Sequence, residues 1–302
     1  GWEIGGEARD ADPAHWRALR LVGWPAGHLN GRFLYRMQPG ARPKSKSESR
    51  LTADLVGSEW AGWRVDSATV RVDFPAVARD SFSVAGWRRG GAFTLSASVD
   101  PGGWEGPYTV TDLPLEEWPD GRATGLEGML EHAQGRGANR AGQLFVSGDL
   151  AGSATDWNAA HFAEWELRGV NGRMLTTPEL TASVLARDGF FVGLHLYSAA
   201  APIRLGNQRV DFADLRARAG DTLVTLSGGA AWSGDRWRLS ASRARVRSAQ
   251  FDWVAEPPLV LSGDREGTLS ERVVADDGDS HLEARGRWAA PGGFYDFALD
   301  GR

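Results

Sequence analysis

The sequence predicts an all-β protein built from many antiparallel strands, and three observations predict it. Two-residue hydrophobic alternation recurs along the chain. Residues tolerant of positive φ interrupt it every ~8–12 residues, the spacing of strand-and-turn proteins. Helix-forming stretches are scarce. The 302 residues allow one large domain or two ordinary ones. With 42% hydrophobic and 24% charged residues, the chain can bury a core and is not a disordered tail. The 39 glycines follow no Gly-X-Y period, so turns and bulges are their expected use.

Taken in order, the strand signals begin with "GRFLYRM" (31–37) and "SRLTADLVG" (49–57). In "DSATVRVDF", Ala68, Val70, Val72 and Phe74 alternate with Ser67, Thr69, Arg71 and Asp73. In "AFTLSASVD", Phe93, Leu95, Ala97 and Val99 alternate with Thr94, Ser96 and Ser98. Each reads as a half-buried strand with one apolar and one wet face. Further strands are expected at 142–150, 163–170, 190–198, 259–263, 268–274 and 294–301, and in "RWRLSAS", where Trp237, Leu239 and Ala241 share a parity. Turns are expected at "DPGG" (100–103), "DG" (120–121), "VNG" (170–172), "RDG" (187–189), "SGD" (233–235) and "DDGD" (276–279). Two short helices are expected, one from Asp12-Pro13 through Trp16 and Leu19, the other about two turns within 125–135. The stretch 112–143 is the least strand-like. It divides the chain into an N-terminal β region (1–111), an irregular connection with a short helix (112–143) and a C-terminal β repeat region (144–302).

A repeat supports that last division. "GDTLVTLSGGAAW" (220–232) and "GDSHLEARGRW" (278–288) both open on Gly-Asp, run extended and end on Trp. Each is followed by a turn and a second alternating strand, and 142–157 is a weaker echo.

Several function classes are excluded or disfavoured. A net charge of −5 argues against nucleic acid as a partner, because phosphate neutralisation needs a basic face. With no cysteine, there is no disulfide, thiolate metal site or cysteine nucleophile. No run approaches the ~18 apolar residues of a membrane helix. The opening residues have neither the basic nor the apolar region of a signal peptide. Neither end resembles a finished terminus, so an internal or processed piece of a longer chain is expected. The stretch 42–50 reads as a solvated hairpin loop. No histidine motif with metal spacing, nucleophile elbow or phosphate-binding loop is present. His195 is expected to be a packed or rim residue sharing a face with Phe191, Gly193 and Tyr197, and the Asp276–Asp279 cluster to be a turn. No catalytic residue, metal ligand or cofactor is assigned.

What remains is an apolar face on many strands, and such a face must be covered. A second sheet covers it in a sandwich or jelly roll. A closed barrel fills it. A curved open sheet leaves a groove, which suits acyl chains that supply the missing apolar surface themselves. Fourteen tryptophans also raise a carbohydrate-binding or carbohydrate-active β-sandwich as an alternative, since sugar faces stack on aromatic rings. An outer-membrane barrel is disfavoured, because aromatic girdles draw on Tyr and there are only 4.

The C-terminal third resembles the TamB group of AsmA-like envelope proteins. The resemblance rests on Trp237 to Val246, "FDWVAEPPLVL" (251–261) and Leu282 to Trp288, with similar phrasing at 51–74 and 208–223. It is thin over 75–190. It implies a repetitive β-sheet curled into an elongated open trough with an apolar lining. It implies a periplasmic location, a membrane anchor outside this stretch, and movement of phospholipid between inner and outer membranes or help in outer-membrane assembly. The implied partners are phospholipid acyl chains and the outer-membrane assembly machinery. Val70, Val72, Phe74, Phe93, Leu95, Trp237, Leu239, Leu282 and Trp288 are the candidate groove lining.

Overall fold

A computed structural model describes residues 1–12, 27–40, 47–60, 63–117, 126–157, 160–174, 179–191, 194–234, 236–264, 267–289 and 295–301. Among the described residues the regular elements are strands apart from one 3-10 turn, Leu115–Glu117. The strands are β1 (Trp2–Ala11), β2 (Gly27–Gln38), β3 (Glu48–Trp60), β4 (Trp63–Phe74), β5 (Asp80–Arg88), β6 (Gly91–Asp100) and β7 (Gly103–Pro114). Next come β8 (Leu126–Arg140), β9 (Gln143–Trp157), β10 (Ala160–Arg173), β11 (Glu179–Phe191), β12 (Leu194–Gly206), β13 (Arg209–Ala219), β14 (Thr222–Ser233) and β15 (Arg236–Arg247). The last are β16 (Asp252–Ala255), β17 (Leu259–Asp264), β18 (Gly267–Asp276), β19 (His281–Ala289) and β20 (Tyr295–Gly301).

Each strand pairs antiparallel with its neighbour in sequence, so the sheet is an uncrossed meander. β16 and β17 occupy one position, because both pair with β15 and both with β18. Glu256-Pro257-Pro258 interrupts that position, since proline cannot donate to the ladder. The 20 strands therefore occupy 19 positions, and among the described residues β1 pairs only with β2 and β20 only with β19, so the meander is open at both ends. The all-β, open antiparallel expectation holds. The sandwich or jelly-roll alternative does not, because every connection joins neighbours and no Greek-key crossover occurs among the described residues.

The chain forms two compact units. Unit 1 comprises Gly1–Pro119, Met129–Leu150 and Arg173–Thr176, and unit 2 comprises Asp120–Gly128, Ala151–Gly172 and Thr177–Arg302. This differs from the division expected at 112–143, and the reason is β8. Within the stretch read as irregular, the helical turns expected at 125–135 fall instead on a 15-residue strand paired with β7, while 118–125 lie outside the described residues. The other expected helix, from Asp12-Pro13, lies almost wholly outside the described residues, as do 41–46 of the expected hairpin loop and the turn at 120–121.

In unit 1 the inward side chains form one cluster. It runs through Leu29, Leu51, Ala53, Leu55, Val65, Ala68, Val70, Val72, Phe82, Val84 and Ala97, on five consecutive strands. These side chains are only 1–8% exposed. Register explains the contiguity: Leu51 faces Val72, which faces Phe82, which faces Ala97. Small Ala97 lets Phe82 reach Trp104 on β7, edge-on at 5.6 Å between centroids.

Alternation alone would not keep that face in line over 13-residue strands. On β3, Leu55 and Ser58 are both buried, with Val56 and Gly57 between them exposed. On β4, Ala68 and Val65 are buried, with no buried residue between them. The two strands change parity together, since Leu55 pairs with Ala68 and Ser58 with Val65. The same step recurs where Val110 and Leu113 pair with Ala133 and Leu130, and where Ala186 and Gly189 pair with Ala199 and Leu196. At the centre of each step sits a left-handed residue, namely Gly57, Asp112 or Asp188, with φ of 57°, 52° and 45°. Ser58, buried by its step, is satisfied: its Oγ accepts from Asn30 N at 2.9 Å and donates to Asn30 O at 3.1 Å.

These steps correct two expected turns. "RDG" is not a chain reversal but the Asp188 step inside β11, and "VNG" lies within β10. The reversal falls instead within 190–198, which was expected to be one strand. Phe190 and Phe191 end β11, and Leu194 and His195 begin β12 as their antiparallel partners.

A Cβ added at Gly57 would meet nothing within 4 Å, so backbone conformation alone sets the cost of a side chain there. Gly57→Val is expected to destabilise unit 1 by about 1–2 kcal/mol, and Gly57→Asn by much less, because Asn tolerates the left-handed region. Urea unfolding followed by tryptophan fluorescence checks this. Equal midpoints for Val and Asn would refute the backbone explanation.

Candidate functional site

The candidate site is the inward apolar face, and it differs between the two units. In unit 1, Val70 and Val72 are buried at 3% and 1% exposure, at the centre of the cluster. Phe74, Phe93 and Leu95 pack against that cluster and remain partly exposed. The middle of this face is closed by its own side chains.

In unit 2 the fully buried positions are mostly small: Ala186, Ala201, Ala217, Ala241, Ala244 and Ala275 among them. Val170, Leu196 and Val274 are buried as well, but several large apolar side chains around this floor are only partly buried. Leu239 is at 9%, and Trp237, Phe212, Leu226, Leu259 and Leu261 pack partly buried against it. Cross-strand rows hold them: Ala230 faces Leu239, which faces Leu261, and Trp232 faces Trp237. Gly228 cannot carry a side chain, because a Cβ there would overlap the Ser240 carbonyl oxygen. Leu282 is partly buried opposite Ala275. Trp288 lies on β19, on the parity of Leu282, with Thr268 and Tyr295 as backbone partners. Thus the structure brings Val70, Val72, Phe74, Phe93 and Leu95 into one cluster, and Trp237 and Leu239 into another. Sequence reasoning missed Phe212, Leu226, Leu259 and Leu261. Phe212 and Leu215 both lie on the inward face although three residues apart, across the irregularity at Asp214, and strict alternation passes over such a pair.

The outward face carries ion pairs. Asp73 accepts from Arg50 Nε at 2.5 Å and from Arg71 Nε at 2.7 Å. Burial pushes its carboxyl up, but the two arginine hydrogen bonds and charges outweigh that and hold it below the usual carboxylate range. Arg136 and Arg140 lower Glu105, and Arg245 lowers Asp252.

Among the described residues, three histidines sit in separate pairs with aspartates. His28, His161 and His195 each have a ring nitrogen 2.7–2.8 Å from an aspartate (Asp10, Asp156 and Asp188), in solvent-exposed pairs. His195 packs between Phe190 and Tyr197, at 4.9 and 4.8 Å between centroids, on the outward face. Tyr197 is thus its neighbour as expected, whereas Phe191 instead pairs with Leu194 across the reversal. Asp276 and Asp277 spend their carboxylates on turn amides: Gly278 N donates to Asp276 at 2.7 Å and Ser280 N to Asp277 at 2.7 Å. Among the described residues no three His, Asp or Glu side chains converge as metal ligands.

Because the folded-state values of Asp73, Glu105 and Asp252 are depressed, their stabilisation is present above the unfolded carboxylate value. It is lost as pH falls through the folded value. Acid unfolding is therefore expected to steepen below about pH 4. Asp73→Asn should flatten that dependence while costing about 1 kcal/mol or less at neutral pH, given solvent screening. Unfolding midpoints between pH 3 and 7 test this, and an unchanged slope in the variant would contradict it.

Comparison with known proteins finds no matching family model, no matching curated protein and no matching solved structure for this chain.

Proposed function

We propose that this chain is a segment of an envelope-spanning protein whose apolar β-groove carries phospholipid between inner and outer membranes, or assists outer-membrane assembly, within the periplasm. One observation carries the reading: in unit 2, Phe212, Leu226, Trp237, Leu259 and Leu261 stand only partly buried around an alanine-rich floor on consecutive strands. A core meant only for stability closes over such residues, as unit 1 does around Val72. Acyl chains complete the missing cover and gain the same transfer free energy as a buried side chain, about 0.8 kcal/mol per CH₂. The ion-paired outward face stays wet. Transfer of this kind needs no catalytic group, because the chain has only to offer continuous apolar surface along which a tail slides while its headgroup remains hydrated. The resemblance of 237–288 to TamB-like envelope proteins points the same way.

The test is photo-crosslinking in Gram-negative cells. A benzoylphenylalanine at Trp237 or Leu261 is expected to crosslink phospholipid. One at Val72 should do so several-fold less, and one at Thr225, on the opposite face, not at all. Mass spectrometry of the adducts reads the result. Absence of phospholipid at Trp237 and Leu261, or equal yields at Thr225, would overturn the reading.

A further inference from the structure

We infer that the outward surface of β13–β16 is a docking site for an anionic bilayer surface. Strand register builds it from two rows. One row runs Arg218, Leu223, Arg247, Asp252 across four strands, and the next runs Arg216, Thr225, Arg245, Val254. Arg243 sits one step further along β15, opposite Ser227. All five arginines are exposed.

Elsewhere on the outward face many cations are matched, as in the pairs of Asp73 with Arg50 and Arg71, and of Glu105 with Arg136 and Arg140. Here they are in excess. Asp214 pairs with Arg216 and Asp252 with Arg245, and Asp221 lies in the adjoining turn. No ion pair joins Arg218 or Arg243 to a described residue. This positive surplus stands on a chain whose net charge is −5.

The second observation is apolar. Leu223, Phe251 and Val254 are 38%, 36% and 51% exposed among these arginines. Tyr197 and Phe190, on β12 and β11 beside them, are 57% and 49% exposed. Phe190, Tyr197, Leu223 and Val254 thus put four large exposed apolar residues on β11–β16. Burial inside the protein does not explain Leu223 and Val254, whose cross-strand rows place them on the face opposite the Leu239 cluster.

Charge and apolarity together identify the occupant. Arginine forks match phosphate oxygens bidentately, and apolar or aromatic side chains between them enter the headgroup boundary. An acidic protein surface would satisfy the arginines but leave Leu223 and Val254 without a reason to be exposed. The inference goes beyond the groove reading, because it concerns the opposite face of the sheet and survives if the groove carries nothing.

Vesicle flotation with the full 302-residue chain tests it. The protein is expected to float with vesicles of phosphatidylcholine containing phosphatidylglycerol, and not with phosphatidylcholine alone. Arg218→Ser with Arg243→Ser should lower the partition coefficient roughly 30-fold, from about 1 kcal/mol per arginine near such a surface. Leu223→Ser with Val254→Ser should lower it further. Arg136→Ser with Arg140→Ser removes equal charge from unit 1 and should leave flotation unchanged. Unaltered circular dichroism and unfolding midpoints confirm folding of each variant. No flotation on anionic vesicles, equal flotation on neutral ones, or equal loss in the Arg136/Arg140 pair would overturn the inference. Arginine-dependent retention on immobilised polyglutamate without flotation would assign the patch to an acidic polypeptide instead, and overturn it as well.

Discussion

A strand can keep one apolar face only while its alternation is unbroken, yet strands of 13 to 15 residues in this protein break it. The sheet survives because the break is shared. Where β3 spends two exposed residues, Val56 and Gly57, between buried Leu55 and Ser58, β4 spends two between Ala68 and Val65. A break in β3 alone would send every later side chain to the wrong face, with the cost of a register slip along the rest of the strand. The matched step keeps Leu29, Leu51, Val70 and Phe82 in one cluster. Among the described residues, those inside strands with φ of 45–57° (Asp10, Gly57, Asp112, Ala154, Asp188 and Asp214) lie on β1, β3, β7, β9, β11 and β13, alternate strands of the meander. The device is therefore a feature of the repeat rather than of a single hairpin.

That device also determines how much was legible in the sequence. Strands such as 66–74 and 92–100, with clean alternation, read correctly. β8 did not. Its buried residues include Leu130, Ala133 and Gly137, spaced three and four apart, which is the spacing of a helix face. The spacing arises because β8 steps parity together with β7 at Asp112. "RDG" misled in the complementary way. Asp and Gly supply positive φ for a turn or for a bulge, and the local sequence does not say which. The 58-residue echo did reflect equivalent elements. Gly220 and Gly278 both turn the chain at positive φ, and β14 and β19 follow them in the same direction, four positions apart in the sheet.

Binary pattern has a second blind spot, which is volume. Parity placed Val70 and Leu239 on inward faces equally well, but it could not separate a closed face from an open one. Volume separates them. In unit 1, Leu51, Val70, Val72, Phe82 and Val84 fill adjacent positions and exclude solvent from one another. In unit 2 the neighbours of Leu239 across the ladder are Ala230 and Leu261, and Gly228 sits opposite Ala241. Small residues at alternate inward positions leave gaps beside the large ones, so Phe212, Leu226 and Trp237 stay half-exposed. The glycines and alanines that weaken the hydrophobic count of this region are the ones that open its surface.

The contrast bears on why one sheet would carry both kinds of face. A tightly filled face contributes stability but offers nothing to a ligand, since interiors at native density admit no extra methylene without strain. A face with small residues under large ones contributes less to folding and leaves transfer free energy to be gained from outside. Unit 1 can hold its strands in register through its own core. Unit 2 relies more on its backbone ladder and on outward ion pairs such as Arg245 with Asp252. Filling the gaps, for instance at Ala230, would trade the second kind of face for the first, raising stability while removing the surface on which the proposed function depends.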